Sequence, residues 1–148
     1  MLVDEAGRNW VGHFDEHPSG IRSWSTTGQP IWTSDGADIP GLFDCYALNV
    51  SGATAWACTY TDFPLVEIRP DRPEQPVRVW ANQVRGAKIV AVHGDQVAFC
   101  GGYGEENDRL AHGKLTESSV EPTDVGRASR IYVQAEPFTA WGVFDLSS

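Results

Sequence analysis

A short string near the start of the chain, residues 13–17, has the order His-Phe-Asp-Glu-His. The same H-x-x-E-H order binds zinc in one group of metalloproteases, where a helix holds both imidazoles beside a catalytic glutamate. Here Val11 and Gly12 suit a strand, and the proline-containing residues 18–20 suit a turn, so the required helix is not expected. We therefore interpret residues 13–17 as a solvated loop rather than a zinc site.

A glycine-rich run at residues 101–108 has the order Gly-Gly-Tyr-Gly-Glu-Glu-Asn-Asp. Such glycines can cradle a phosphate, but the carboxylates directly behind them would repel it. The run also approximates one turn of a calcium-binding G-G-x-G-x-D repeat, with Glu106 where the aspartate belongs. That site is built from consecutive copies, so we predict no cofactor. The alternative is a single calcium ion bound by carboxylates and backbone carbonyls.

The three cysteines, Cys45, Cys58 and Cys100, are an odd number without a C-x-x-C pair. This pattern argues against a disulfide framework and a structural zinc site, and it favours reduced thiols. The sequence places no evident base beside Cys58 or Cys100, so we expect both to be small core residues.

Acidic side chains outnumber basic ones, and the formal net charge is −9. Such a charge repels nucleic-acid phosphates, so we expect no nucleic-acid partner. No apolar run approaches the roughly 18 residues of a membrane helix, and the first residues lack the pattern of a secretory signal. We expect a cytoplasmic protein without a membrane partner.

The segments that carry these residues repeat along the chain. Residues 47–52 lead through Gly52 into residues 55–58, and residues 89–94 lead through Gly94 into residues 97–100, an offset of 42 residues (94 − 52). Weaker copies occur upstream and downstream. A period of about 40–45 residues that carries several short strands is typical of β-propeller blades.

Alternating apolar residues bounded by turn residues predict four short strands in each repeat. We place blades at about residues 1–34, 45–81 and 87–123, with a partial blade at 129–146, in a single domain of residues 1–148. The last strand of the third blade is expected to be poor, near Val120. The predicted fold is all-β, with about three to three and a half four-stranded antiparallel blades.

This number of blades creates a physical difficulty, because closed propellers use about four to eight. An isolated arc would leave two apolar faces and an unpaired strand edge exposed. We therefore predict that two copies associate as a homodimer and complete a ring of about six or seven blades.

Four segments, residues 7–16, 44–50, 60–66 and 99–104, carry a resemblance to a known family. They resemble the C-terminal half of a group of uncharacterised bacterial β-propeller proteins, whose blades are similar to WD40 or two-component-regulator propellers. The similarity covers most of the chain, and those relatives are longer at the N-terminus. The resemblance implies a propeller fold and implies no particular activity.

In a propeller, the loops between blades and the loops between second and third strands emerge on one face, where ligands commonly bind. The predicted ligand-binding residues on these loops are Asp15, Glu16, Asp44, Tyr46, Tyr60, Asp62, Arg85, Tyr103 and Glu105. This acidic and aromatic rim suits a cationic or hydroxylated small molecule, or a basic protein segment. A solvated surface without a ligand is the alternative interpretation.

No set of nucleophile, base and orienting group is recognisable by spacing. We therefore predict a non-catalytic module that binds a ligand or a protein. The alternative is a divalent-metal-dependent propeller hydrolase that acts on a lactone or a sugar. Its metal would be held by rim carboxylates such as Asp15, Asp62 and Glu105.

Overall fold

The computed structural model describes residues 1–14, 20–39, 42, 44–127, 132–136 and 139–143. The described strands form three four-stranded antiparallel sheets and one two-stranded hairpin. The first sheet consists of β1 (Leu2–Val3), β2 (Asn9–Gly12), β3 (Ile21–Trp24) and β4 (Pro30–Thr33). The second consists of β5 (Cys45–Ser51), β6 (Thr54–Thr59), β7 (Leu65–Ile68) and β8 (Val77–Trp80).

The third sheet consists of β9 (Ile89–His93), β10 (Gln96–Cys100), β11 (Arg109–Leu115) and β12 (Val120–Arg127), and the final hairpin of β13 (Tyr132–Glu136) and β14 (Thr139–Val143). Within each sheet the strands lie side by side in chain order. The described residues contain one short 3-10 turn, Gly104–Glu106, and no helix long and apolar enough to cross a membrane. The all-β prediction is confirmed.

The sequence repeat corresponds to the first hairpin of the second and third sheets. Gly52 lies in the turn between β5 and β6, and Gly94 lies in the turn between β9 and β10. Both have a φ of 60°, the left-handed conformation that tight hairpin turns require and that glycine adopts most easily. The chain therefore reverses at equivalent points 42 residues apart (94 − 52).

The second sheet lies between the other two and is buried on both faces. Successive side chains of a strand point to opposite faces, and β6 shows the consequence. Trp56 and Cys58 belong to the core shared with the third sheet. Ala55 and Ala57 belong to the core shared with the first sheet. The sheets thus pack in chain order through two separate cores, and the described sheets do not close into a ring.

In the strands of residues 1–127, the large apolar side chains that are exposed lie only on the first and third sheets. Val3 and Ile31 are exposed on the first sheet, and Val125 is exposed on the third. No strand residue of the middle sheet is among them. This distribution is expected where each outer sheet has one face without a packing neighbour.

The last strand of the third sheet differs from the expectation of a poor strand near Val120. It is the eight-residue strand β12, which pairs with β11 from Val120 to Arg127, with a bulge beside Gly113. This segment contains Pro122, and β12 is an edge strand. A proline is tolerated there because its missing N–H can face away from the neighbouring strand.

The carboxylate of Asp4 holds the turn between β1 and β2 and ties it to the second sheet. It accepts hydrogen bonds from the backbone N–H groups of Ala6 and Arg8, from Arg8 Nε at 2.6 Å and from Trp10 Nε1 at 2.9 Å. Arg8 also donates to the carbonyl of Ala53 at 2.6 Å. Burial opposes ionisation of Asp4, but its bonds to Trp10 and Arg8 outweigh burial and hold the pKa of this carboxyl below its usual value.

Candidate functional site

The strand register brings several loops to the same end of the sheets. β5 starts at Cys45, which pairs with Thr59 at the end of β6, and β9 starts at Ile89, which pairs with Cys100 at the end of β10. The loop that enters each sheet and the loop after its second strand therefore emerge together. The N–H of Cys45 donates to the carbonyl of His13 at 2.9 Å, which brings the end of β2 to this edge as well.

Five aromatic rings meet at this edge, and we call them the aromatic patch. Tyr46 is at the centre, with its ring centroid 5.1 Å from that of Phe14, 5.2 Å from Phe63, and 6.0 Å from both Tyr60 and Tyr103. Most of these pairs meet edge to face, the arrangement that the ring quadrupoles favour. The rings come from all three sheets, so the patch exists only because the sheets pack together.

The patch has one buried ring surrounded by exposed ones. Phe63 is 2% exposed, whereas Phe14, Tyr60 and Tyr103 are 55%, 40% and 46% exposed. Exposed rings of this size normally mark a binding surface when they are contiguous. The patch therefore offers solvent several ring faces fixed on a buried aromatic base.

A β-bulge directs Tyr46 into the patch. Cys45 pairs with Thr59 and Ala47 pairs with Cys58, so Tyr46 is the extra residue between two ladder positions. A bulge of this kind bends the strand and re-aims the inserted side chain, and bulges are frequent beside functional sites.

Phe63, the buried ring of the patch, has an unusual backbone conformation. Phe63 has a φ of 56°, and it is the one non-glycine residue with a positive φ in the described part of the chain. Its carbonyl accepts a hydrogen bond from Asn82 Nδ2 at 3.0 Å, which helps to hold this loop in place. A left-handed conformation costs a bulky residue on the order of 1–3 kcal/mol. Such strained residues are frequent at functional sites, so this conformation is consistent with a binding loop.

A lysine lies against the rings. The Nζ atom of Lys88 is 4.4 Å from the centroid of Tyr46 and 5.6 Å from that of Tyr103, within the range of a cation–π interaction. Lys88 directly precedes β9, and its backbone N–H donates to the carbonyl of Cys100 at 2.8 Å. The ammonium group is therefore held at the patch by a fixed strand.

The phenol of Tyr103 stays neutral over a wide pH range. Partial desolvation of its phenol, a hydrogen bond with Tyr46 and the proximity of Tyr46 and Tyr60 raise the pKa of Tyr103 to about 12, and the charge of Arg85 acts in the opposite direction. At neutral pH this phenol is a hydrogen-bonding group without charge.

The structure brings together only part of the predicted rim. Tyr46, Tyr60 and Tyr103 meet in the aromatic patch, and Arg85 lies close enough to Tyr103 to affect its pKa. Asp62 and Glu105 are exposed on their loops. Asp44 is half-buried, and its backbone carbonyl accepts a hydrogen bond from the N–H of Tyr60 at 2.9 Å. The remaining two predicted residues, Asp15 and Glu16, lie outside the described residues.

Three members of the site were not predicted from the sequence: Phe14, Phe63 and Lys88. Phe14 and Phe63 are in rim loops, but nothing in the sequence indicated that their apolar rings belong to a binding site. Lys88 had a signal in the repeat, because it lies 42 residues after Tyr46 (88 − 46) and both residues stand at the entry to a sheet.

The thiols of the described chain are poor nucleophiles. Cys58 and Cys100 are buried, as expected, and burial raises the pKa of both thiols. Burial also raises the pKa of Cys45 to about 12. Since the thiolate is the reactive form, none of these cysteines is activated for covalent chemistry at neutral pH. Among the described residues no group of three or more His, Cys, Asp or Glu side chains is arranged to hold a metal ion.

The first sheet also has a shallow groove on its surface. Its lining includes Trp24, Ile31 and Trp32 from β3 and β4. The cation in this groove, Arg22, already faces Asp35 at 3.9 Å. The groove therefore has fewer converging rings than the patch and a cation that has an acidic neighbour.

Comparisons with known proteins add little to this picture. No protein-family model matches the chain. It is 27% identical over 77 residues to a protein named β-glucuronidase from Formosa agariphila. The alignment covers 50% of this chain and 8% of that protein, so the chain spans only a small part of this relative's length.

Proposed function

We propose that this chain is a non-catalytic binding module made of β-propeller-type blades, and that the aromatic patch is its ligand-binding surface. The observation that carries the proposal is the convergence of five rings from three sheets at one edge, three of them 40% or more exposed. Rigid strands that hold loops with exposed aromatic residues are a common basis for binding.

The position of Lys88 narrows the ligand class. A cationic ligand or a basic segment would seek the faces of electron-rich rings, but Lys88 already lies over Tyr46 and Tyr103. A second cation there would be repelled. We therefore favour a hydroxylated ligand, a saccharide, whose apolar C–H face can stack on a ring while its hydroxyls bond to phenols.

The alternative, a divalent-metal-dependent hydrolase acting on a lactone or a sugar, needs rim carboxylates to converge on one ion. Asp62 and Glu105 are both exposed on separate loops, the first after β6 and the second after β10. Calorimetric titration with calcium, magnesium and zinc tests this alternative. Saturable heat that disappears in an Asp62→Asn, Glu105→Gln double variant would favour it over the binding module.

Ring completion by a second copy belongs to the same proposal. Its support is the succession of three four-stranded meanders, packed face to face, together with exposed apolar residues on the two outer sheets. The same architecture is the support for membership in the bacterial β-propeller group that the sequence resembles. Propeller blades bury their faces on neighbouring blades, so a partner copy would cover what the outer sheets expose.

The binding proposal is tested on an array of neutral and acidic oligosaccharides. We expect the wild-type protein to be retained on a subset of glycans. A Tyr60→Ala, Tyr103→Ala double variant should bind them at least about tenfold more weakly, because it removes two exposed ring faces. Equal retention of both proteins, with both shown to be folded by circular dichroism, would contradict the proposal.

A further inference from the structure

Lys88 differs from the other lysine of the chain in its surroundings. The sequence contains only two lysines, Lys88 and Lys114. Lys114 faces the carboxylate of Asp95 at 3.3 Å. Lys88 is in none of the ion pairs that join described residues, and its ammonium group is accompanied by rings.

A second cation at the same edge is also without an ion pair in the described part of the chain. Arg85 is exposed, and its charge acts on Tyr103. By contrast, Arg109, the nearby arginine of β11, is neutralised by Glu106 at 2.8 Å. In a chain of net charge −9, this edge thus combines ring faces with two cations that have no ion pair among the described residues.

Ring faces hold the ammonium of Lys88, and no ion pair among the described residues gives its N–H groups a carboxylate acceptor. An ammonium has three donors, and a carboxylate that approaches from solvent would give it a charge-assisted hydrogen bond. Lys88 is exposed, so a carboxylate of a ligand in solution can reach its ammonium group. The charge is therefore placed to meet an acidic group of a ligand that already stacks on the patch.

We propose that the aromatic patch binds an acidic saccharide, with the sugar face on the exposed rings and its carboxylate paired with Lys88. This inference rests on the proposed function and adds the charge of the ligand. Arg85 provides a second cation for the next uronate of an oligomer. An acidic peptide is the less suitable occupant, because it lacks the apolar C–H face of a sugar ring and offers few hydroxyls to the phenols.

The test uses two probes that differ in one functional group. One is a hexamer of β-1,4-linked glucuronate, and the other is cellohexaose, which has a hydroxymethyl group in place of each carboxylate. Calorimetric titration of the wild-type protein at low salt should show at least about tenfold tighter binding of the glucuronate hexamer. Added salt should weaken this hexamer toward the affinity of cellohexaose and should leave cellohexaose nearly unchanged.

Variants test whether Lys88 is responsible for the preference for the glucuronate hexamer. Lys88→Met keeps the apolar stem and should remove most of the preference for the glucuronate hexamer, with Arg85 maintaining the remainder, whereas Lys88→Arg should keep most of it. Lys114→Met, which removes a lysine on β11 that pairs with Asp95, should leave the preference unchanged. If Lys88→Met fails to fold, the salt dependence of the wild-type protein still decides whether the charge of the ligand contributes to binding.

The outcomes separate the two proposals. Equal affinity for both hexamers would overturn the acidic-ligand inference and leave the saccharide-binding function in place. A preference for glucuronate that is undiminished in Lys88→Met would overturn the role of Lys88. Binding of neither hexamer, by a protein that does bind neutral glycans on the array, would overturn the inference alone, whereas binding of no glycan at all would overturn both.

Discussion

Gly86 lies directly under the ring of Tyr103. A Cβ atom at Gly86 would be 2.8 Å from both Cδ2 and Cε2 of that ring, a distance that real Cβ atoms do not tolerate. Gly86 also has a φ of 70°. The absence of a side chain at this position is therefore what allows Tyr103 to take its place in the aromatic patch.

The substitution Gly86→Ala should displace Tyr103 and weaken ligand binding by at least about tenfold, beyond its effect on stability. Gly94→Ala is the matched control, since Gly94 has a similar φ of 60° but open space at its Cβ position. Both substitutions should lower the free energy of unfolding by about 1–2 kcal/mol, because alanine is strained in the left-handed conformation. Titration with the glucuronate hexamer and thermal melting of both variants separate the effects, and equal loss of binding in the two would contradict this role of Gly86.

Tyr103 should titrate later than an ordinary tyrosine. Its pKa is raised to about 12 in the folded protein, from an ordinary value of 10.0, so the folded state holds the phenolic proton over a range where the unfolded state has lost it. The stabilising contribution is therefore complete below about pH 10 and is lost as the pH rises toward about 12. Tyrosinate absorbance should show a late step that is missing in Tyr103→Phe. An unchanged titration curve in that variant would contradict the assignment.

Asp4 should make folding sensitive to acid. The pKa of its carboxyl is lowered in the folded state, so the stability that it contributes is present above the pKa of the unfolded chain and is lost as the pH falls through the folded value. At neutral pH, Asp4→Asn should reduce the free energy of unfolding by about 2–3 kcal/mol, because buried charged hydrogen bonds from Arg8 and Trp10 are lost. Asp95→Asn, at an exposed pair, should change little, and urea unfolding at several pH values measures both.

Self-association should appear in the mass of the protein in solution. The chain has a mass of 16.2 kDa, and we expect sedimentation to give twice that value for the wild-type protein. A Val3→Lys, Ile31→Lys double variant should shift the protein toward the monomer, because both side chains are exposed on an outer sheet that a partner copy would cover. A well-folded wild-type monomer at high concentration would contradict ring completion by pairing.

Most strands and their turns could be predicted from the sequence, but the site could not. Alternation and the glycine turns at Gly52 and Gly94 are local signals, and the three meanders follow from them. The strand β12 is longer than expected, and it tolerates Pro122 because it lies at an edge, which is a property of the whole sheet.

The site could be anticipated only as a set of loops. Tyr46, Tyr60 and Tyr103 were among the predicted residues, but their contact depends on a bulge at Tyr46 and on packing between sheets. The places of Phe63 and Lys88 depend on a left-handed backbone conformation and on ring faces from other segments. Such long-range contacts have no signature in residue spacing, although the repeat already paired Lys88 with Tyr46.

The most direct test of the aromatic patch as the ligand surface is a backbone amide chemical-shift map recorded while the glucuronate hexamer is added. We expect the largest shifts at Tyr46, Tyr60 and Tyr103 and at their neighbours Phe14, Phe63 and Lys88. Shifts concentrated at Trp24 and Trp32, on the groove of the first sheet, would contradict the account, as would a spectrum that the hexamer leaves unchanged.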